Sequence, residues 1–379
     1  MKKKTLKPVN PYQARLDKIC EWMTQEGLSL VMFEDTEKRR DQTLRWLSGH
    51  PGDALLFLSV KGETVLVPWD DNLARVYSET DVIIPYSEFN RIPAEALRGV
   101  TEFISLQHGV RIEIPPVTPY PEFLNFVGEL AEFDILCREQ SAIRYAQELR
   151  AIKDDNEIKI IRQACHITNE IINLLEKKVR SGKIKTEADA ALLIEQEVRK
   201  RGCDGTAFDT IAAGPQRSFG IHAFPSYTGE PFAGQGLSIL DFGVKYHGYA
   251  SDVTLTFVRD PKPQQEKLVA CVERAYQIAV SMAEEHIPVK QLALAAAQHF
   301  AKNRKTMPHS LGHGIGLDAH EHPIIKVRAD NELLLKKGMF FTLEPGLYDP
   351  LHGGCRLEND VLLSDAGTEI LTEAKIVWL

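Results

Sequence analysis

Alternation of apolar and polar positions divides the chain into two stretches of different rhythm. Residues about 12–26 read as a helix, and the short apolar run Leu28-Ser29-Leu30-Val31-Met32-Phe33 behind it reads as a strand. Ala54-Leu55-Leu56-Phe57-Leu58-Ser59-Val60 and Glu63-Thr64-Val65-Leu66-Val67-Pro68 predict a hairpin around Lys61-Gly62. Helix–strand alternation continues to about residue 136, so residues 1–150 are expected to form a separate α/β domain. A charged helical stretch at residues 148–159 marks the junction. Beyond it, the pattern predicts long helices at about 155–181 and 187–201 and a hairpin, then helices at about 263–285 and 289–303 and closing strands. Two helices followed by strands, given twice, predict a pseudo-symmetric α+β domain over residues 151–379.

The second stretch carries acids where strands should be apolar. Leu237-Ser238-Ile239-Leu240-Asp241-Phe242-Gly243-Val244 and Tyr249-Ala250-Ser251-Asp252-Val253-Thr254-Leu255-Thr256-Phe257-Val258 flank the polar turn Lys245-Tyr246-His247-Gly248. A turn centred between Tyr246 and His247 would set Asp241 directly across the ladder from Asp252, with Cβ atoms about 4.5–5.5 Å apart. A turn shifted by one residue would make them diagonal neighbours. Two carboxylates that close in an apolar hairpin repel unless a cation lies between them. The pattern repeats near the C-terminus, where Glu344 in Met339–Gly346 and Glu358 in Cys355–Leu363 each sit in an apolar strand. Between the two pairs stands His313, with glycines on both sides that would let backbone pass close to a ligand. Four carboxylates and one imidazole carry a charge of about −4, which two divalent cations neutralise. Oxygen-rich ligation with one His and no thiolate suits Mn²⁺, Co²⁺, Fe²⁺ or Zn²⁺. Two such ions roughly 3.5–4 Å apart can share a water, lower its pKa and polarise a carbonyl, so the implied chemistry is metal-assisted hydrolysis.

Any one of these acids taken alone would more often be a solvated strand residue; the pairing, its repetition and the glycine-framed His argue for the set. A rival zinc set of His309, His313, His320 and His322 lacks the Glu of the H-E-x-x-H helix, and the surrounding glycines oppose a helix there. Gly312-x-Gly314-x-Gly316 does not have dinucleotide-loop spacing, and neither a G-x-S-x-G elbow nor a P-loop occurs.

Composition narrows the classes further. The 379 residues hold 45 basic and 53 acidic side chains, a net charge of −8, with Lys2-Lys3-Lys4 the only basic tract, which disfavours nucleic acid and anionic membranes as partners. No signal-peptide core or membrane-length apolar run is present, so the expected location is the cytoplasm. The six cysteines show no C-x-x-C spacing and read as reduced thiols, Cys355 among them as a structural residue.

In their local contexts these residues resemble the pita-bread metallopeptidases, which include proline dipeptidase, aminopeptidase P and methionine aminopeptidase. Asp241 in Leu-Asp-Phe-Gly, Asp252 in Ser-Asp-Val-Thr, His313 in Gly-His-Gly-Ile-Gly, Glu344 in Leu-Glu-Pro-Gly and Glu358 in Arg-x-Glu-Asn match the family's five ligands in order. The resemblance implies a pita-bread catalytic domain with an antiparallel sheet flanked by helices, preceded by a creatinase-type amino-terminal α/β domain. It also implies two divalent metals, manganese first among them, short proline-containing peptides as substrates, and a homodimer. By position, His320 resembles the histidine that steadies the tetrahedral intermediate, and His222 the one that contacts substrate. Glu344 would serve as ligand and general base, and Arg356 would orient Glu358 from behind. His322 stands between a supporting and a solvated role. Leu47-Ser48-Gly49-His50 before the first hairpin resembles the proline-directed branch, and the chain's compact length favours proline dipeptidase over aminopeptidase P. Two positions depart from the pattern: Ile324 stands where some prolidases carry an Arg that holds the dipeptide carboxylate, and Asn359 stands where Asp is common. A creatinase-like hydrolase working without metal, or a non-catalytic binding protein on this fold, would be expected to lack several of the five ligands.

Overall fold

A computed structural model describes residues 11–330 and 333–379; the basic triplet Lys2-Lys3-Lys4 lies outside them. The chain divides into two compact units, one up to Leu149 and one from Arg150 onward. In the first, a mixed six-stranded sheet runs in the order Val82–Ile83, Thr64–Pro68, Ala54–Ser59, Leu28–Asp35, Arg111–Glu113, Asp134–Leu136. The predicted hairpin pairs Leu55 with Val67 and Phe57 with Val65, and Gly62 supplies the positive φ its turn requires. Leu30, Met32, Leu55, Phe57, Val65 and Val67 pack under the helix Pro93–Phe103 through Leu97 and Val100. This is an α/β layer, as the alternation required.

The junction is not one helix. Ala142–Arg150 ends, Lys153 donates its backbone N–H to the Gly338 carbonyl, and a new helix, Asp155–Arg180, begins at an N-cap. Asp154 accepts from the N–H groups of Asn156 and Glu157 while Glu157 reaches back to the Asp154 N–H, so a capping box restarts the helix four residues after the previous one stopped.

Helices Asp155–Arg180 and Glu187–Lys200 then cover a four-stranded sheet ordered Ile376–Trp378, Val253–Arg259, Gly236–Phe242, Ile211–Ala213. Helices Pro263–Met282 and Val289–Lys302 precede a five-stranded sheet ordered Glu321–Ile325, Gly312–Gly314, Phe340–Leu343, Asn359–Ser364, Gly367–Ile370. Helix pair and sheet thus occur twice, which is the pita-bread architecture. One pairing departs from the antiparallel expectation: the last strand, Ile376–Trp378, runs parallel to Val253–Arg259. One apolar core joins Ile171, Leu175, Ile194 and Val198 to Leu240, Leu255 and Phe257, and another joins Leu292, Ala296 and Ala279 to Phe341, Leu343 and Val361. The two sheets meet where Thr254 and Glu358 form an isolated bridge.

Candidate metal centre

The first hairpin turns one residue later than the sequence suggests. His247 and Gly248, both at positive φ, form the two-residue turn, Tyr246 pairs with Tyr249, and Asp241 pairs with Thr254. Asp241 and Asp252 are therefore diagonal rather than directly opposed. The ladder also breaks: Val253–Arg259 pairs with Gly236–Phe242, whereas Tyr249–Ala250 and Val244–Tyr246 belong to a separate small sheet. Asp252 lies in the break, where its N–H donates to Asp360 Oδ2 at 3.0 Å.

Direct opposition is realised in the second pair instead. Phe340 pairs with Leu362 and Leu343 with Asn359, and beyond the interruption Gly346 pairs with Arg356 in the same register, so Glu344 and Glu358 face each other across it. Both lie in short gaps between strands and not inside them, because Pro345 has no N–H to continue the ladder. The glycines around His313 have a steric cause: a Cβ at Gly312 would overlap the Thr342 carbonyl oxygen and one at Gly314 the His322 carbonyl oxygen. Close strand packing, rather than ligand access, requires them.

These breaks bring the predicted acids together. One ligand atom each from Asp252, His313 and Glu358 lie within 4.8 Å of one another, all three residues buried; they are the one such group of His, Cys, Asp or Glu among the described residues. Glu344 Oε1 is 3.7 Å and Asp252 Oδ2 3.8 Å from His313 Nε2. The His313 Nδ1 lies 3.1 Å from the Gly314 carbonyl, which makes Nδ1 the protonated nitrogen and leaves the Nε2 lone pair facing the acids. Burial, reinforced by His320, pushes the His313 pKa down to about 3, so the ring is neutral. Glu358 Oε2 accepts from Thr254 Oγ1 at 2.7 Å.

Arg356 is wholly buried and makes four bonds: Nη2 to Asp241 Oδ2 at 2.5 Å, Nε to Thr254 Oγ1 at 2.9 Å, Nη1 to Tyr348 Oη at 2.7 Å and to the Ile221 carbonyl at 3.1 Å. Its carboxylate partner is thus Asp241 and not Glu358, which it reaches only through Thr254. Burial pushes the carboxyl pKa values of Asp241, Asp252 and Glu344 up, and that of Glu358 up to about 7. Mutual repulsion raises Asp252, Glu344 and Glu358 further, while Arg356 opposes the rise at Asp241, Glu344 and Glu358. Asp241 Oδ1 and Asp252 Oδ1 are buried with no hydrogen-bond partner. Buried carboxylate oxygens are left unpaired only at a cost that bound cations remove. The donor chemistry therefore fits a hard or borderline divalent metal, with Asp252, His313 and Glu358 the residues whose ligand atoms converge.

The His320 ring lies against His313, centroids 4.1 Å apart, at the solvent edge of the cluster. His222 is exposed on the loop whose Ile221 carbonyl binds Arg356. The rival zinc set is not assembled. His309 spends Nδ1 on the Ser310 carbonyl at 2.8 Å and Nε2 on Tyr348 Oη at 3.1 Å, and His322 lies half-buried in the strand Glu321–Ile325. Asn359 turns its amide to Tyr276, Thr372 and Ala374 and takes no part in the acid cluster. All six cysteines are free thiols, and burial pushes that of Cys355 up to about 12. Sequence reasoning missed Tyr348, Thr254 and Asp360, which brace Arg356, Glu358 and Asp252. Their only signal was a polar residue in an apolar strand, which is common. It also missed Arg150, Lys153 and Glu321, whose ion cluster closes only in three dimensions.

No described helix is long and apolar enough to cross a membrane. The model of metallopeptidase family M24 matches residues 159–365. An Xaa-Pro dipeptidase of Pyrococcus horikoshii is 29% identical over 367 residues, spanning 95% of this chain and 97% of its own. The crystal structure of the prolidase from Pyrococcus horikoshii superposes with a TM-score of 0.80 at 26% identity, covering 96% of this chain and 99% of that one. An X-Pro aminopeptidase from Thermotoga maritima shares the fold, with a TM-score of 0.81 at 24% identity over 96% of this chain and 99% of its own. With a family model covering more than half its length and a solved relative matching nearly all of it, the chain belongs to metallopeptidase family M24.

Proposed function

We propose that this M24 peptidase is a dinuclear exopeptidase that hydrolyses the Xaa-Pro bond of short peptides, and that it is a proline dipeptidase. The observation carrying the reading is the pair of buried, unpartnered oxygens Asp241 Oδ1 and Asp252 Oδ1, near His313, Glu344 and Glu358. Two divalent ions, manganese in our reading, would supply an acidified water and a polarised carbonyl when bound to these five residues. Glu344 takes the proton of the attacking water at its carboxylate, near the mouth of the cluster. His320, at the solvent edge, donates a hydrogen bond to the oxyanion, and His222 contacts the peptide from its loop. Arg356 holds Asp241 in place and offsets the charge of the acids. Residues 1–150 form the creatinase-type accessory domain and residues 151–379 the catalytic one, in a cytoplasmic homodimer.

One observation favours a second reading, Xaa-Pro aminopeptidase. Ile324 pairs with His313 across the strand, so an apolar side chain occupies the place where a guanidinium would clamp a dipeptide carboxylate, and Arg328 lies on an exposed turn beyond that strand. The test is hydrolysis of an Xaa-Pro dipeptide beside an Xaa-Pro-Xaa tripeptide by metal-stripped protein resupplied with Mn²⁺, Co²⁺ or Zn²⁺. Cleavage of the dipeptide is the expected result, abolished in Asp241→Ala and Glu344→Ala. Preference for the tripeptide would establish the second reading; no cleavage of either with any ion would overturn both. Activity that survives both substitutions would point to a creatinase-like hydrolysis without metal.

A further inference from the structure

The loop that carries His320 is built around a buried charge. His313 pairs with Ile324, but the next residue, Gly314, pairs with Glu321, so the ladder slips and residues 315–320 leave it as a closed excursion. Glu321 stands at the neck of that excursion, beside His320. Its side chain is 5% exposed and faces two cations that are buried even more deeply, Arg150 at 3% and Lys153 at 1%. Oε1 accepts from Arg150 Nη2 at 2.5 Å and from the Asp318 N–H at 3.0 Å; Oε2 accepts from Lys153 Nζ at 2.9 Å. Arg150 Nη2 also holds Asp318 Oδ2 at 2.7 Å, and Lys153 Nζ also holds the Arg150 carbonyl. The loop is wrapped tightly on this carboxylate: a Cβ at Gly316 would meet both of its oxygens at under 3 Å. Two donors inside the excursion, the Asp318 N–H and the Gly316 N–H to the Asp318 carbonyl, complete it from within.

We infer that Glu321 is a positioning residue: its carboxylate, clamped by Arg150 and Lys153, fixes the loop so that the His320 imidazole is held against His313 at the edge of the acid cluster. Without that charge, Arg150 and Lys153 lose the carboxylate that lies between them, and the strand neck at Gly314 no longer sets where residue 320 stands. A displacement of about an ångström at a group that meets the substrate is enough to cost catalysis about 100-fold while leaving peptide affinity largely alone. The inference rests on the proposed role of His320.

The experiment is a double-mutant cycle on the metal-reconstituted enzyme: wild type, Glu321→Gln, His320→Ala and the double variant, each with kcat and KM measured separately. Alongside it, the His320 ring resonance of the metal-free protein, assigned by its loss in His320→Ala, is followed by NMR. Glu321→Gln is expected to lower kcat by about 10- to 100-fold with little change in KM, to shift the His320 resonance, and to cause no further loss in the His320→Ala background. Equal losses in both backgrounds, or an unmoved His320 resonance, would overturn the inference. Full activity in His320→Ala would sink the role given to His320 in catalysis, and the resonance alone would then decide whether Glu321 positions the ring. Should Glu321→Gln not fold, Lys153→Met keeps the Arg150–Glu321 pair and carries the same cycle; if it moves neither kcat nor the resonance, the clamp is not what holds His320.

Discussion

At the scale of single residues, Arg356 ties more of the centre together than any ligand does. Four bonds from one buried guanidinium join Asp241, Thr254, Tyr348 and the Ile221 carbonyl, and through Thr254 they reach Glu358. A lysine would keep the charge and lose the fork, so Arg356→Lys is not a conservative change here. We expect it to weaken divalent-metal affinity or activity by about 10- to 100-fold, the range found when a partner behind a ligand is lost. Calorimetric titration of metal into the variant checks this, and an unchanged affinity together with full activity would contradict it. His313 shows how a residue's role depends on neighbours that its sequence context does not name. Its flanking glycines were legible, but the reason for them, the carbonyls of Thr342 and His322, belongs to other strands.

At the scale of elements, the long helices of the second unit lie within three residues of the ends expected from the pattern, because apolar spacing and caps are local signals, while the helical stretch expected at 148–159 is broken between Arg150 and Asp155. The long helix Asp155–Arg180 owes its start to the Asp154–Glu157 capping box. Asp154→Ala should cost about 1 kcal/mol of stability, measurable as a lowered urea midpoint at constant slope. Registers were harder. Of the two registers the pattern allows, the first hairpin takes the one shifted by a residue that leaves Asp241 and Asp252 diagonal, since only φ values at His247 and Gly248 fix where a two-residue turn falls. The loop anchored by Glu321 has a pH signature. Burial opposes its ionisation, but Arg150 and Lys153 hold its pKa down to about 2, below the ordinary 4.5. A group depressed on folding stabilises above its unfolded pKa and loses that contribution as pH falls through the folded value. The contribution, on the order of 3 kcal/mol, should therefore be whole above about pH 5 and fade between about 4.5 and 2. Acid titration of unfolding free energy should show wild type and Glu321→Gln converging over that window; parallel curves would rule the assignment out.

At the scale of the whole molecule, the centre exists because two helix-backed sheets meet at the Thr254–Glu358 bridge and point acids from both into one buried space. Without metal, burial and mutual repulsion push the carboxyl pKa values of Asp252, Glu344 and Glu358 up, that of Glu358 to about 7. Metal binding must then displace protons as well as stabilise the fold. At pH 6, addition of Mn²⁺ should release protons, read from calorimetric enthalpies in buffers of different ionisation heat, and should raise the melting temperature; at saturation near 100 Kd the gain is about 2.7 kcal/mol. A buffer-independent enthalpy would show that the acids are already ionised before metal arrives.

The amino-acid sequence marks out the candidate side chains before any fold is known. Asp241, Asp252, His313, Glu344 and Glu358 were identifiable because acids in apolar surroundings violate the local pattern, and a violation needs no knowledge of the fold to be seen. It also determined the succession of helices and strands, which hydrophobic period encodes locally. Tertiary structure alone decided how those side chains meet: Asp241 on Arg356, the gaps that aim Asp252, Glu344 and Glu358, the carbonyls that demand glycine beside His313, and the clamp of Arg150 and Lys153 on Glu321. Each of these joins residues far apart in the chain, and a pairing between distant segments leaves no periodic trace in either one.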